Sequence, residues 1–121
     1  MIISVASGKG GTGKTLVATL LSANGFDITD LGADVPAADF ADEAEAKAAD
    51  CVAVSALLTT TMAGQKKVIE ELEKRSLRKR VKVMVGGAPC SKAWAEEIGA
   101  DGYAADAVSA VALARRITAT P

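Results

Sequence analysis

The residues Gly8-Lys9-Gly10-Gly11-Thr12-Gly13-Lys14-Thr15 satisfy the pattern G-x-x-x-x-G-K-[ST] in full, between an apolar run and a helical pattern. Each residue type has a task in holding a triphosphate. Glycines let successive backbone N–H groups curl around an anion, Lys14 sets a point charge on the terminal phosphates, and Thr15 offers a hydroxyl to Mg2+ at the positive end of a helix. Lys9 adds a second positive charge. A few charge-assisted hydrogen bonds of about 1.5–3 kcal/mol each would support micromolar affinity after association costs. The expected site is therefore Gly8, Lys9, Gly10, Gly11, Thr12, Gly13, Lys14 and Thr15, with Thr15 on the metal, and the expected cofactor is ATP or ADP with Mg2+. No catalytic residue is expected. The run Cys51–Leu57 is followed by Leu58-Thr59-Thr60-Thr61, so the Walker B acid is missing, and little or no hydrolysis should occur. A slow ATPase is the alternative, with Asp30 or Asp34 substituting through water, against turn chemistry at Asp34-Val35-Pro36.

Histidine is absent from all 121 residues, which removes imidazole acid–base catalysis, Ser/His and Cys/His nucleophiles, and every His-ligated metal site. Cys51 and Cys90 lack CxxC spacing and fall at opposite sheet edges, so both are expected as free thiols. With 14 Lys plus Arg against 15 Asp plus Glu the net charge is −1, which gives no footprint for nucleic acid. No apolar run approaches the roughly 20 residues of a membrane span. The expectation is a cytoplasmic single domain over 1–121 with its P-loop at 8–15, binding a nucleoside triphosphate but neither nucleic acid nor membrane. A monomer is expected, a dimer being the alternative.

The elements that must position the loop alternate. Apolar β-branched runs at Ile2–Ala6, Phe26–Asp30, Cys51–Leu57, Val81–Val85 and Asp101–Ala104 are each followed by a helical pattern. The apolar stripes are Leu16, Val17, Leu20 and Leu21; Ala37, Phe40, Ala41, Ala44 and Ala48; then Gln65, Val68, Ile69 and Leu72 on a helix starting near Thr61, capped by Thr60 or Thr61. The basic run Lys74–Arg80 reads as a solvated helix end favoured by the macrodipole. Ser91 and Asp106 are candidate N-caps and Gly99 a helix stop. Right-handed crossovers then give an α/β, flavodoxin-like (Rossmann-like) three-layer sandwich with a five-stranded parallel sheet of order 2-1-3-4-5. Its switch point lies between the first and third strands, so ligands should bind beyond their carboxyl ends. Tyr103 is the one candidate neighbour for a base there; Trp94 reads as packing against the sheet, and Cys90 carries no assigned role.

Two resemblances follow from these residues. Met1–Ser7 followed by GKGGTGKT resembles the deviant P-loop of the MinD and ParA type ATPases, which would make Lys9 the lysine that reaches across a nucleotide-sandwich dimer. From Gly13 onward the chain is similar to the cobalamin-binding domain of corrinoid methyltransferase proteins. The segments that carry this likeness are Leu16–Leu21, Asn24-Gly25-Phe26, Asp30–Pro36, Ser55–Met62, Val85–Pro89 and Gly99–Tyr103. It implies the same fold, and a groove in which Ser55, Thr59, Thr60, Gly86 and Gly87 receive the nucleotide tail of the corrinoid. The family's hallmark is D-x-H-x-x-G, whose histidine is the lower cobalt ligand; counting back from Gly13, Gly10 stands at the histidine and Gly8 at the aspartate. The helical segment that caps the corrin in those modules is not expected either. The resulting expectation is an ATP-binding module: a cobalamin-domain scaffold with a grafted P-loop, a designed chimera, in which cobalamin is not the expected cofactor. A corrinoid binder without the lower-ligand histidine is the remaining alternative.

Overall fold

The five apolar runs become five strands: β1 (Ile2–Ser7), β2 (Asp27–Ala33), β3 (Cys51–Ser55), β4 (Lys82–Gly86) and β5 (Gly102–Ala104). A computed structural model describes residues 2–7, 19–33, 37–55, 59–87 and 90–118. All four strand pairs are parallel, in the order β2-β1-β3-β4-β5. The helices between them are α1 (residues 19–23), α2 (Ala37–Ala46), α3 (Thr59–Lys74), α4 (Lys92–Ile98) and α5 (Ala107–Thr118). This is the flavodoxin-like architecture that the alternation predicts.

Because side chains alternate along a strand, each run divides between two cores. Val52, Val54, Val83 and Val85 pack with Phe40 and Ala44 of α2, Val68, Ile69 and Leu72 of α3, and Ala95 and Ile98 of α4. Ile3, Val5, Cys51, Ala53, Met84 and Ala104 face the other way, onto Leu21 of α1 and Ala110, Leu113 and Ala114 of α5. Burial on both faces explains why the strands read as continuous apolar runs rather than as alternating ones.

Four helices close with the same bond, from the N–H of one residue to the carbonyl five back: Phe26 to Leu21 (3.2 Å), Ala49 to Ala44 (2.9 Å), Leu77 to Leu72 (2.8 Å) and Ala100 to Ala95 (2.9 Å). The residue before each donor is left-handed. Glycine takes that conformation freely at Gly25 and Gly99, whereas Ala48 (φ 51°) and Ser76 (φ 61°) do so with a Cβ in the way. Ala48 is thus an exposed cap and not the last member of the α2 stripe.

Two boundaries and the role of the basic run differ most from the sequence reading. β2 runs on through Leu31, Gly32 and Ala33, because a register shift at Val5/Ala6 skips Leu31, which packs into the α2–α4 core. α3 begins at Thr59, so Thr60 and Thr61 lie inside its first turn and neither is its cap. The basic run is structural where solvation was expected. Arg75 pairs with Asp42 and, at 3.1 Å, with Glu71, tying α2 to α3, while Arg78 pairs with Asp101 at 2.9 Å.

Candidate functional site

At the carboxyl edge of the sheet the register places Ala33, Ser7, Ser55, Gly86 and Ala104 in one transverse row across all five strands. Every residue of the row is small. Ser55 follows Cys51 and Ala53 in alternation and Ala104 is itself a member of the α1/α5 core, so the row belongs to that side of the sheet. One row back on that face stand Val5, Ala53, Met84 and Gly102, so residue size steps down at β1, from Val5 to Ser7, and at β4, from Met84 to Gly86, at the end where ligands bind in open parallel folds. Gly86 has a further reason to be glycine: a Cβ there would lie 2.8 Å from the backbone oxygen of Ala104. The close approach at Gly86 is thus made first by the neighbouring strand. Gly87, at φ 120°, begins the turn out of β4, closed by the Cys90 N–H donating to the Gly87 carbonyl at 3.0 Å.

On the opposite side a single buried amide holds this edge. Gln65, on the second turn of α3, is 1% exposed. Its Nε2 donates to the Val54 carbonyl at 2.8 Å and to the Gly86 carbonyl at 3.2 Å. Its Oε1 accepts from the Trp94 indole N–H at 2.8 Å and lies 3.3 Å from the Cys90 thiol, which is also 3.3 Å from the Gly86 carbonyl. The indole can only donate and the two carbonyls can only accept, so the orientation of the amide is determined. Both its protons and both its lone pairs have partners, the condition for burying an amide without a large desolvation penalty.

Both thiols are free. Burial, with Asp101 and Asp50 adding to it, pushes Cys51 up to about 12. Burial also raises Cys90. Neither is a thiolate near neutrality, so neither is a nucleophile.

The proposed phosphate residues Gly8, Lys9, Gly10, Gly11, Thr12, Gly13, Lys14 and Thr15 lie outside the described residues, as does Asp34. Asp30 lies within β2 and Thr59 and Thr60 in the first turn of α3. Ser55 and Gly86 come together in the row. Tyr103 does not join them: paired with Val85, it packs into the α2–α4 core, on the far side of the sheet, and is no neighbour for a base. Trp94 packs against that core as expected, but its N–H also anchors Gln65, and Cys90, left without a role, meets the same amide.

Residues 3–112 match the B12 binding domain. The chain is 52% identical over 105 residues to "Dimethylamine corrinoid protein 3" of Methanosarcina acetivorans, covering 87% of this chain and 49% of that protein. Among solved structures it resembles the monomethylamine corrinoid protein of Methanosarcina barkeri, with a TM-score of 0.87, 40% identity and coverage of 96% of this chain and 57% of that one. It also resembles the methanol:cobalamin methyltransferase complex MtaBC of Methanosarcina barkeri, with a TM-score of 0.91, 27% identity and coverage of 99% and 47%. The chain spans about half the length of the curated relatives it matches.

These likenesses overturn the expected cofactor. ATP or ADP with Mg2+, and the ATP-binding function built on the motif at 8–15, give way to a corrinoid, and the expectation that cobalamin is not the cofactor is wrong. The physical reason is one of position. A glycine-rich turn after the first strand opens the ligand edge of any such sheet, so eight residues there carry less weight than a likeness running the length of the fold. No helix among the described residues is long and apolar enough to cross a membrane.

Proposed function

The chain belongs to the B12 binding domain family, and from that premise we propose that it binds a corrinoid with the nucleotide tail in the groove over Ser55, Gly86 and Gly87, and presents it to a methyltransferase partner. The observation that carries this reading is the in-register row of small residues on the α1/α5 side. A flat tail laid along that floor meets no bulky side chain at Ser55, Gly86 or Ala104, and the Ser55 hydroxyl is half-buried at its centre. When bound, the corrinoid supplies a cobalt centre suited to carrying a methyl group. The protein's own part is to hold the tail, exclude water from it and set the height of the ring above the strand ends.

The fit stops at cobalt. With no histidine among the 121 residues, no side-chain imidazole of this chain can ligate the metal, and glycines stand at both positions of the family's D-x-H pair, Gly8 and Gly10. The protein should therefore retain hydroxocobalamin through desalting, and its reduced cobalt(II) form should show an electron paramagnetic resonance spectrum without nitrogen superhyperfine splitting. Gly10→His should introduce that splitting. Colourless protein after desalting overturns the reading of the groove; so does nitrogen splitting in the unaltered protein, because it would come from the cofactor's own benzimidazole and place the tail on cobalt instead of over Ser55 and Gly86.

A further inference from the structure

The corrinoid reading leaves unexplained why the most buried polar side chain of α3 sits behind the strands that form the groove. Gln65 grips the carbonyls of Val54 and Gly86, the residues immediately before Ser55 and Gly87. Val54 is the last residue but one of β3 and Gly86 the last of β4, and the floor residues Ser55 and Gly86 pair directly across these two strands. A single rigid amide thus ties the end of β3 to the end of β4, while Trp94 and the Cys90 thiol fix the amide from α4 and from the turn after β4. The polar groups facing it are all neutral. Nothing in this cluster opens to the ligand side: Gln65 lies with the α2–α4 layer, whereas Ser55 and Ala104 belong with the α1/α5 layer.

Resting on the corrinoid reading, we infer that Gln65 is a positioning residue for the cofactor: through the sheet, it sets the relative placement of Ser55 and the Gly86–Gly87 turn that receive the corrinoid tail. A residue needed only for packing could be an apolar side chain of the same size, since replacing a satisfied polar cluster by apolar groups is often neutral. Here two donors on one planar group span two strands, a geometry that methionine fills in volume but not in hydrogen bonds.

The test compares hydroxocobalamin affinity with thermal stability in the whole chain, for the unaltered protein, Gln65→Glu, Gln65→Met, Trp94→Phe and Asp101→Asn. Buried against two carbonyls, the Gln65→Glu carboxyl stays protonated near neutrality, keeps an acceptor for Trp94 and offers one donor where the amide offered two. It should weaken hydroxocobalamin binding, and Gln65→Met, which offers no donor, should weaken it further, to about tenfold. Raising the pH should weaken binding by Gln65→Glu still more as its carboxyl ionises, while the affinity of the unaltered protein stays flat. Asp101→Asn, which disturbs the other end of the sheet, should lower the melting temperature at least as much and leave affinity within about twofold. Wild-type affinity in Gln65→Glu and Gln65→Met, or, should neither fold, in Trp94→Phe, overturns the inference. Equal affinity losses in Asp101→Asn at equal loss of stability overturn it as well. If the unaltered protein fails to retain hydroxocobalamin, the corrinoid reading itself falls; if it binds and the Gln65 variants bind equally, only the positioning role does.

Discussion

The two edges of the sheet are built on opposite principles. At the amino edge, backbone groups are met by charges: Asp50 accepts from the Ile2 N–H at 2.9 Å, and Asp101 accepts from the Val83 N–H at 2.7 Å while pairing with Arg78. Arg78 in turn donates to the carbonyls of Val81 at 3.1 Å and Gly99 at 2.6 Å. All four helix ends with left-handed caps arrive there too. At the carboxyl edge the only buried polar support among the described residues is the neutral amide of Gln65, and the surface in front of it is a row of small residues. The amino edge meets these backbone groups with charges of its own. The carboxyl edge gives up bulk at Ser55 and Gly86, the part of the floor proposed for the corrinoid tail, while Ala104 at its end is already buried against α5.

If this division is correct, stability and cofactor affinity should separate by edge. The largest effect is expected at Asp101. Its carboxylate serves a backbone N–H and an arginine that are both only partly exposed. Asp101→Ala should cost about 2–3 kcal/mol, the range for charge-assisted hydrogen bonds lost from a half-buried site, seen as a lower urea midpoint. Hydroxocobalamin affinity of the folded fraction should not change. Next comes Ser55→Leu, which raises a branched side chain from the middle of the floor. Affinity should fall about tenfold or more, equivalent to at least about 1.4 kcal/mol of binding, with a urea midpoint close to that of the unaltered protein. A Ser55→Leu protein that binds as before would erase the contrast between the edges.

How much of this could be read beforehand depended on how local the determinants are. The parallel sheet followed from near-continuous runs such as Val81–Val85 and from the crossover rule, neither of which needs distant residues, while its order 2-1-3-4-5 was a choice among parallel folds that the likeness to the cobalamin-binding domain supported. Ser91 caps α4 through the Trp94 N–H at 3.1 Å, Asp106 caps α5 through the Ser109 N–H at 2.7 Å, and Gly99 stops α4, all legible because each acts within one turn. Gln65 was visible as one amide in the stripe with Val68, Ile69 and Leu72, but its partners, Trp94 and Cys90, are 29 and 25 residues away and came from other elements. The motif at 8–15 misdirected the reading because its residue types suit an anion wherever they stand, while the site proposed for the corrinoid is spread over strand ends that converge only in the folded sheet.

The caps at the amino edge offer a smaller test. An L-residue in the left-handed region costs about 1–2 kcal/mol, against about 0.5–1 kcal/mol of extra chain entropy lost by glycine, so Ala48→Gly or Ser76→Gly should stabilise the fold by about 0.5 kcal/mol. Both positions are exposed and far from the row, so a rise in melting temperature without any change in hydroxocobalamin affinity is the expected result.

The smallest effect belongs to a cap at the other edge and is set by pH. Asp106 follows β5, and the backbone N–H of Ser109, then its hydroxyl, hold the Asp106 carboxyl below the ordinary value of 3.8. A carboxylate depressed in the folded state binds protons less readily there than in the unfolded chain. Its contribution is therefore complete above the ordinary value and is lost as pH falls through it toward the lower folded value. Asp106→Asn keeps an acceptor for the Ser109 N–H but cannot titrate, and it forgoes the charge at the positive end of α5. Melting temperatures of the two proteins should therefore differ near about pH 6 and draw together as the pH falls below the ordinary value of 3.8. A gap that stays constant across that range would mean that the cap on α5 works by hydrogen bonding alone, without the charge that separates it from the neutral support at Gln65.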